Sequence, residues 1–272
     1  MTAPTLDIAA VQDSDLDAVT DLVKALKWPH RREELGAGRA ARDAEGRVLG
    51  VALWWAFEPA AARIGLVMVS PDAQGRGIGR RLVEQVLEDT ADRSMMLLAT
   101  EAGKPLYDKL GFVTVGACRQ YQGNYDGAPA DDAGLRSAHP DDLAAILALD
   151  TAAFGVGRAP VLRALMQVGR VAVLDDGTGI TGYAIEREFG RGTVVGPIVA
   201  ESEADAIRLF QALARPGFVR VDAVVGQDSF AGHLTAHGLA AVGADSPSML
   251  RGSWPEARGS TRVFAMSSHA LG

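Results

Sequence analysis

Sixteen residues, Val67-Met-Val-Ser-Pro-Asp-Ala-Gln-Gly-Arg-Gly-Ile-Gly-Arg-Arg-Leu82, constrain the fold more than any other stretch of this chain. An apolar, β-rich run ends at Val69, and Pro71 stops it. Glycines follow at 75, 77 and 79, and then apolar residues at 82, 83, 86 and 87 recur with the helical period. A strand that runs through a glycine-rich loop into a helix start makes a site for an anion. Missing side chains let the anion approach the backbone, and the unpaired N–H groups of the first helical turn face it, aided by the helix dipole. Two common phosphate loops do not fit. No Gly-Lys-Ser/Thr is present, as a Walker loop requires. A dinucleotide fold places Gly-x-Gly-x-x-Gly near its first strand; here Gln-x-x-Gly-x-Gly follows the fourth expected strand.

The elements around this loop alternate. Strands are expected at Leu6 to Val11, Arg39 to Asp43, Val48 to Phe57, Arg63 to Val69, Met95 to Thr100 and Phe112 to Tyr121. Helices are expected at Asp13 to Leu26, Gly79 to Thr90 and Pro105 to Leu110, the last stopped by Gly111. Such mixing argues for a layered α/β (α+β) domain. At roughly 150 residues per domain, the 272 residues point to two domains. A shift of 127 positions superposes Ile8 on Leu135, Asp15-Leu16 on Asp142-Leu143, Arg81-Leu82 on Arg208-Leu209, and Gly111-Phe112 on Gly238-Leu239. One shared offset from first helix to last strand reads as two diverged copies of one fold. The expected division is 1–125, a linker at 126–133, and 134–272.

Composition removes several classes of function. The net charge of −7 opposes bulk attraction to nucleic acid or an anionic membrane. The longest nearly unbroken apolar run, Val48 to Phe57, has ten residues, half of the ~20 a membrane helix needs. The start of the chain lacks the basic and apolar pattern of a signal peptide, so a soluble cytoplasmic protein is expected, as monomer or homodimer. The lone cysteine, Cys118, reads as a small buried hydrophobe. His233 and His237 have i, i+4 spacing without an evident third ligand, and no metal site is expected.

The loop resembles the acyl-CoA loop of the GNAT superfamily of N-acetyltransferases. Gln74, Gly77 and Gly79 match its Arg/Gln-x-x-Gly-x-Gly/Ala, and Leu106, Tyr107, Gly111 and Phe112 match its downstream Leu-Tyr-x-x-x-Gly-Phe. The whole chain also resembles the YitH-like tandem acetyltransferases, through Trp28-Pro-His-Arg31, Ala99 to Tyr107 and Gly196-Pro-Ile-Val-Ala200. The resemblance implies two tandem domains, each a mixed, mostly antiparallel sheet flanked by helices. It implies acetyl-CoA as co-substrate and transfer of its acetyl group to the amine of a small molecule by direct attack in a ternary complex. A longer acyl-CoA, a carrier-protein donor, a protein or peptide acceptor, and a CoA sensor without turnover are the alternatives.

The resemblance also assigns residues. The backbone of Val67, Met68 and Val69 would follow the pantetheine arm, with one N–H, foremost that of Val69, polarising the thioester carbonyl. Gln74, Gly75, Arg76, Gly77, Ile78, Gly79 and Arg80 would hold the pyrophosphate. Tyr107 would protonate the leaving thiolate. An alkyl ammonium of pKa ~10.4 is only about 0.04% neutral at pH 7, so attack first costs about 4.6 kcal/mol. His30 is the candidate base and Glu34 the second; Met68 stands where some relatives carry a glutamate. Trp28, His30, Glu34, Trp54, Arg158 and Arg187 are the expected acceptor contacts, with Arg191 beside them. In the second half Leu234 replaces the tyrosine at the common offset. Glu201-Ser-Glu-Ala-Asp205, with three carboxylates and no glycine, replaces the phosphate loop. One cofactor site per chain is therefore expected, in the first half.

Overall fold

The computed structural model describes residues 6–26, 37–127, 132 and 134–272. The first half contains β1 (Asp7–Ala10), α1 (Leu16–Ala25), β2 (Ala37–Arg42), β3 (Val48–Phe57), β4 (Ala61–Val69), α2 (Ile78–Asp89), β5 (Ser94–Leu98), α3 (Lys104–Lys109) and β6 (Val113–Tyr125). The second half contains β7 (Leu135–Ser137), α4 (Leu143–Phe154), α5 (Ala159–Val168), β8 (Arg170–Asp175), β9 (Ile180–Glu188) and β10 (Thr193–Ala200). It continues with α6 (Glu203–Leu213), β11 (Gly217–Val224), α7 (Asp228–Ala236), β12 (Leu239–Ala241), β13 (Ser246–Arg251) and β14 (Arg262–Met266).

Hydrophobic periodicity explains the layers. Val19, Leu22 and Val23 of α1 pack on one sheet face with Val51, Leu53, Leu66 and Met68. Ile78, Leu82, Val83 and Val86 of α2 pack on the other face with Ala52, Ile64, Met95 and Leu97. In the second half, α6 and α7 cover one face, while α4 and α5 cover the other. The expected start of α1 shifts slightly. A 3-10 turn at Asp13–Asp15 precedes it, and Asp15 accepts the Gln12 N–H at 2.7 Å.

The two halves share one sheet. Its order is β1-β2-β3-β4-β5-β13-β6-β11-β14-β10-β9-β8-β7 among the described residues. Strand β13, from the second half, lies between β5 and β6 of the first, pairing Met249 with Leu97 and Ser246 with Cys118. In turn β6 runs beside β11 from Tyr125↔Gly217 to Cys118↔Val224. The side chains follow the strands across. Met249 is buried in the first-half cluster beneath α2, and Phe57 meets Phe154 and Trp254 edge-on at 5.9 and 6.4 Å. The sequence offset locates two copies of a fold, but the sheet crosses the 126–133 segment in both directions.

Because Met249 is 0% exposed and belongs to the other half of the chain, Met249→Ala tests this sharing. Truncating a buried methionine costs about 2–5 kcal/mol. The expected result is one lowered unfolding transition for the whole chain in calorimetry. A second transition left at its original temperature would mean that the halves fold separately.

Candidate active site where two strands part

Strands β4 and β5 run parallel over Ala61↔Ser94, Ala62↔Met95 and Arg63↔Met96, where their pairing ends. A bulge in β4 follows. Between the pairs Leu53↔Gly65 and Val51↔Met68, Ala52 alone opposes Leu66 and Val67. Leu66 takes a left-handed φ of 50° to accommodate the extra residue. Such a conformation costs a non-glycine residue roughly 1–2 kcal/mol, and burial of Leu66 among Val51, Leu53 and Met68 holds it there. Past the bulge, the Ser70 N–H donates to the Leu49 carbonyl at 2.8 Å. Backbone groups alternate along a strand, so Met68 also faces β3 and Val69 faces the opposite edge, toward the gap. Of the three expected pantetheine contacts, Met68 thus turns its amide away, while Val67 lines the cleft and Val69 presents an edge N–H.

At the upper end of β4 the loop is open. Gln74 Nε2 donates to the Val69 carbonyl at 3.2 Å, tying the loop to the strand end. Gly75 and Gly77 have φ of 77° and 73°, and a Cβ added at either meets nothing within 4 Å. Gly77 is the N-cap of α2 and no side chain caps that end. The first-turn amides therefore face open space, as an anion requires. Arg76 donates to the Asp72 carbonyl at 2.9 Å, and Arg80 pairs with Glu84 at 2.7 Å. Both are exposed contacts of the kind that cost little to exchange for a phosphate.

Below the gap lies a cleft of about 640 Å³. Its first-half wall includes Leu66, Val67, Leu98, Thr100, Leu106 and Tyr107. Tyr107 comes from α3, its ring edge-on to Phe112 at 5.7 Å. Burial pushes its phenol up to about 12, because the charged form would lie out of water. The hydroxyl stays protonated and makes no hydrogen bond to a described residue, so it is a donor held in reserve. The second-half wall consists of Phe189, Arg191, Phe218, Arg220, His269 and Ala270, with Gln120 and Gln122 from β6 between the two. Arg220 grips Asp222 at 2.9 and 2.8 Å and approaches His269 Nδ1 at 2.7 Å. A guanidinium only donates, so in this contact His269 Nδ1 accepts, and it also lies 3.5 Å from the Asp222 carboxylate. A second cleft, about 540 Å³ among Leu135, His139, Arg170 and Leu213, lies at the far edge of the sheet, away from the loop and Tyr107.

Several expected acceptor contacts are elsewhere. Arg158 is 1% exposed and is committed to Asp150 at 2.8 and 2.9 Å and to Ser267 Oγ at 3.2 Å. Arg187 is buried too, donating to the Gly196 and Ser267 carbonyls at 3.2 and 3.0 Å. Both are internal braces and line neither of these two clefts. Trp54 packs against the cluster beneath α2, and Trp55 faces the opposite side. Trp28, His30 and Glu34 lie outside the described residues. Sequence reasoning passed over Phe189, Phe218, Arg220, His269 and the glutamine pair. The Gln-x-Gln alternation was a readable signal, since it sets both amides on one strand face. The contribution of His269 had none, because it comes from a tail 162 residues beyond Tyr107 in sequence.

The equivalent region of the second half is closed. Strands β10 and β11 begin parallel at Thr193↔Val219 and Val194↔Arg220. Then β14 enters between them, pairing Ile198↔Ala265 on one side and Ala223↔Ala265 on the other. Helix α6 is capped by Ser202, whose Oγ accepts the Asp205 N–H at 3.1 Å. Leu234, at the tyrosine's position, is fully buried.

A bulged strand, an uncapped glycine-led helix and a tyrosine thus follow one another along the parting sheet. The chain belongs to the GNAT acetyltransferases, as a tandem: residues 39–114 and 146–265 each match an acetyltransferase (GNAT) domain model. It is 33% identical to the uncharacterized N-acetyltransferase YitH of Bacillus subtilis over 58% of this chain and 59% of that one, so the match spans about three-fifths of that relative. It is 27% identical to a holothin acyltransferase of Pseudoalteromonas over 71% of this chain and 68% of that one. A putative acetyltransferase from Pyrococcus horikoshii shares the fold over 100% of this chain and 98% of that one, with a TM-score of 0.81 at 21% identity.

Gly77→Asp places a carboxylate beside the open amides. Acetyl-CoA affinity in calorimetry is expected to fall by several kcal/mol, about the penalty of an uncompensated charge contact. The melting temperature should fall by only a few degrees, since the loop is exposed and the loss is confined to the strain of an aspartate at a left-handed φ of 73°. Unchanged affinity would remove the loop from the cofactor site.

Proposed function

We propose that this chain is an N-acetyltransferase that moves acetyl from acetyl-CoA to the amine of a small molecule, with both substrates bound at once. One observation carries the reading. The uncapped start of α2, the free edge of β4 and the Tyr107 hydroxyl succeed one another in the order of pyrophosphate, pantetheine and sulfur along CoA. The donor places the reaction in the cytoplasm, where acetyl-CoA is held.

The amine nitrogen attacks the thioester carbon, and a C–N bond forms as the C–S bond breaks. The Val69 N–H donates to the developing oxyanion from a position already in place. Tyr107 O–H donates to the departing thiolate. Its raised pKa makes full transfer uphill against a thiol in water, but burial raises the basicity of the thiolate in the same cleft. The proton lost by the amine leaves toward the acceptor side, where the reading assigns His30, and Glu34 after it. Similarity to an enzyme named for acyl transfer favours a longer acyl donor as the second reading. Titration with acetyl-, butyryl- and hexanoyl-CoA separates the two.

Tyr107→Phe is expected to lower kcat by about 10²- to 10⁴-fold with acetyl-CoA affinity intact, measured by thiol release and calorimetry. Unchanged turnover would make Tyr107 a packing residue. The pH profile has a definite sign. The phenol is needed protonated and is held up to about 12, so kcat/KM should rise from pH 7 to 10 as the amine deprotonates. A fall within that range that disappears in Tyr107→Phe would contradict it. Titration of acetyl-CoA into the intact chain should give one equivalent. Two would mean that the groove occupied by β14 also takes cofactor.

A further inference from the structure

We propose that the acceptor amine carries a carboxylate on an apolar body, and that Arg191 selects it. This rests on the acyltransferase reading above.

The described lining of the cleft contains no aspartate or glutamate. Its two arginines differ. The charge of Arg220 is matched by the bidentate contact with Asp222 behind the wall. Arg191 is exposed, and among the described residues no carboxylate pairs with it. Its guanidinium carbon stands 4.0 Å from the centre of the Phe218 ring. Stacking orients the plane and leaves its N–H edge directed outward, the geometry that takes a carboxylate through two parallel bonds.

The turn that carries Arg191 is tightly placed. Gly190 and Gly192 flank it at φ of 56° and 66°. A Cβ at Gly192 would lie 2.0 Å from the Phe218 carbonyl oxygen, so the turn is pressed against the strand that bears the stacking ring. Arg191 is therefore a located charge, unlike a surface arginine free to sweep solvent. It is also separate from the phosphate loop, since no residue from 70 to 80 lines this cleft.

Charge then decides among acceptors. A polyamine or other multiply cationic amine would meet a positive wall with no carboxylate to neutralise it. An amine bearing one carboxylate would be held by Arg191 while Leu66, Val67 and Phe189 cover its apolar body. The same positive field disfavours the ammonium form, which helps the nitrogen to reach its attacking state.

The test uses the intact chain saturated with CoA and two unreactive probes, 3-phenylpropanoate and 3-phenylpropanol, in calorimetry. A hydrogen-bonded charge contact predicts about tenfold or tighter binding of the carboxylate. Arg191→Ala should abolish the difference and leave CoA affinity unchanged, while Arg191→Lys should restore only part of it. Equal binding of the two probes to the parent chain would overturn the proposal. So would persistence of the difference in Arg191→Ala, or a loss of CoA binding in that variant, which would assign Arg191 to the cofactor. If the probes are discriminated but no amine releases CoA from acetyl-CoA, the carboxylate site stands and the transfer reading falls.

Discussion

Arg63 sits at the last paired position of β4 and β5, and the site depends on what it holds. It is 0% exposed, and burial lowers its pKa to about 10. Its Nε and Nη2 donate at 3.0 Å to the carbonyls of Ala270 and His269. Burying a guanidinium is unfavourable unless its donors are used. Here Nε and Nη2 are used and Nη1 is not, and the two used donors draw the end of the second half under the first, where His269 and Ala270 become part of the cleft wall. The parting of the strands and the closing of the cleft thus meet at one side chain.

The two halves use the same parting differently. In the first, a bulge turns the β4 edge toward an open gap and a helix end is left uncapped. In the second, a strand fills the gap and a serine caps the helix. On the proposed reading, a pantetheine arm and a β-strand are interchangeable there in one respect: each supplies backbone-like groups that satisfy the exposed strand edges. A chain that fills its own second groove pairs the strand edges that would otherwise part between β10 and β11. The filling strand also carries the tail to Arg63, so closing one groove completes the other site. This reciprocity accounts for the shared sheet better than two domains merely joined in series.

The far wall of the cleft follows from the same exchange. Phe189, Arg191 and Phe218 belong to the second half, yet they face Tyr107 and Val67 across one cleft. Residues from the first half alone would leave that side of the cleft open to water, which weakens every electrostatic interaction in it. Arg158 and Arg187 illustrate the converse. They have the same side chain as Arg191, but Asp150, Ser267 and neighbouring carbonyls consume their donors.

The sequence by itself determined the local devices. The glycines at 75, 77 and 79, the helical period after them, and Tyr107 ahead of Gly111 act over a few residues, where spacing is geometry. The loss of the loop and tyrosine from the second half was legible for the same reason. Tertiary structure alone decided which arginine faces the cleft, that Met68 points its amide to β3, and that β13 and β14 cross or fill the sheet. Those outcomes depend on pairing between residues more than a hundred positions apart, and on competition for buried hydrogen bonds. Neither leaves a periodic trace along the chain, because a guanidinium spent on an internal carbonyl and one free for a ligand are written with the same letter.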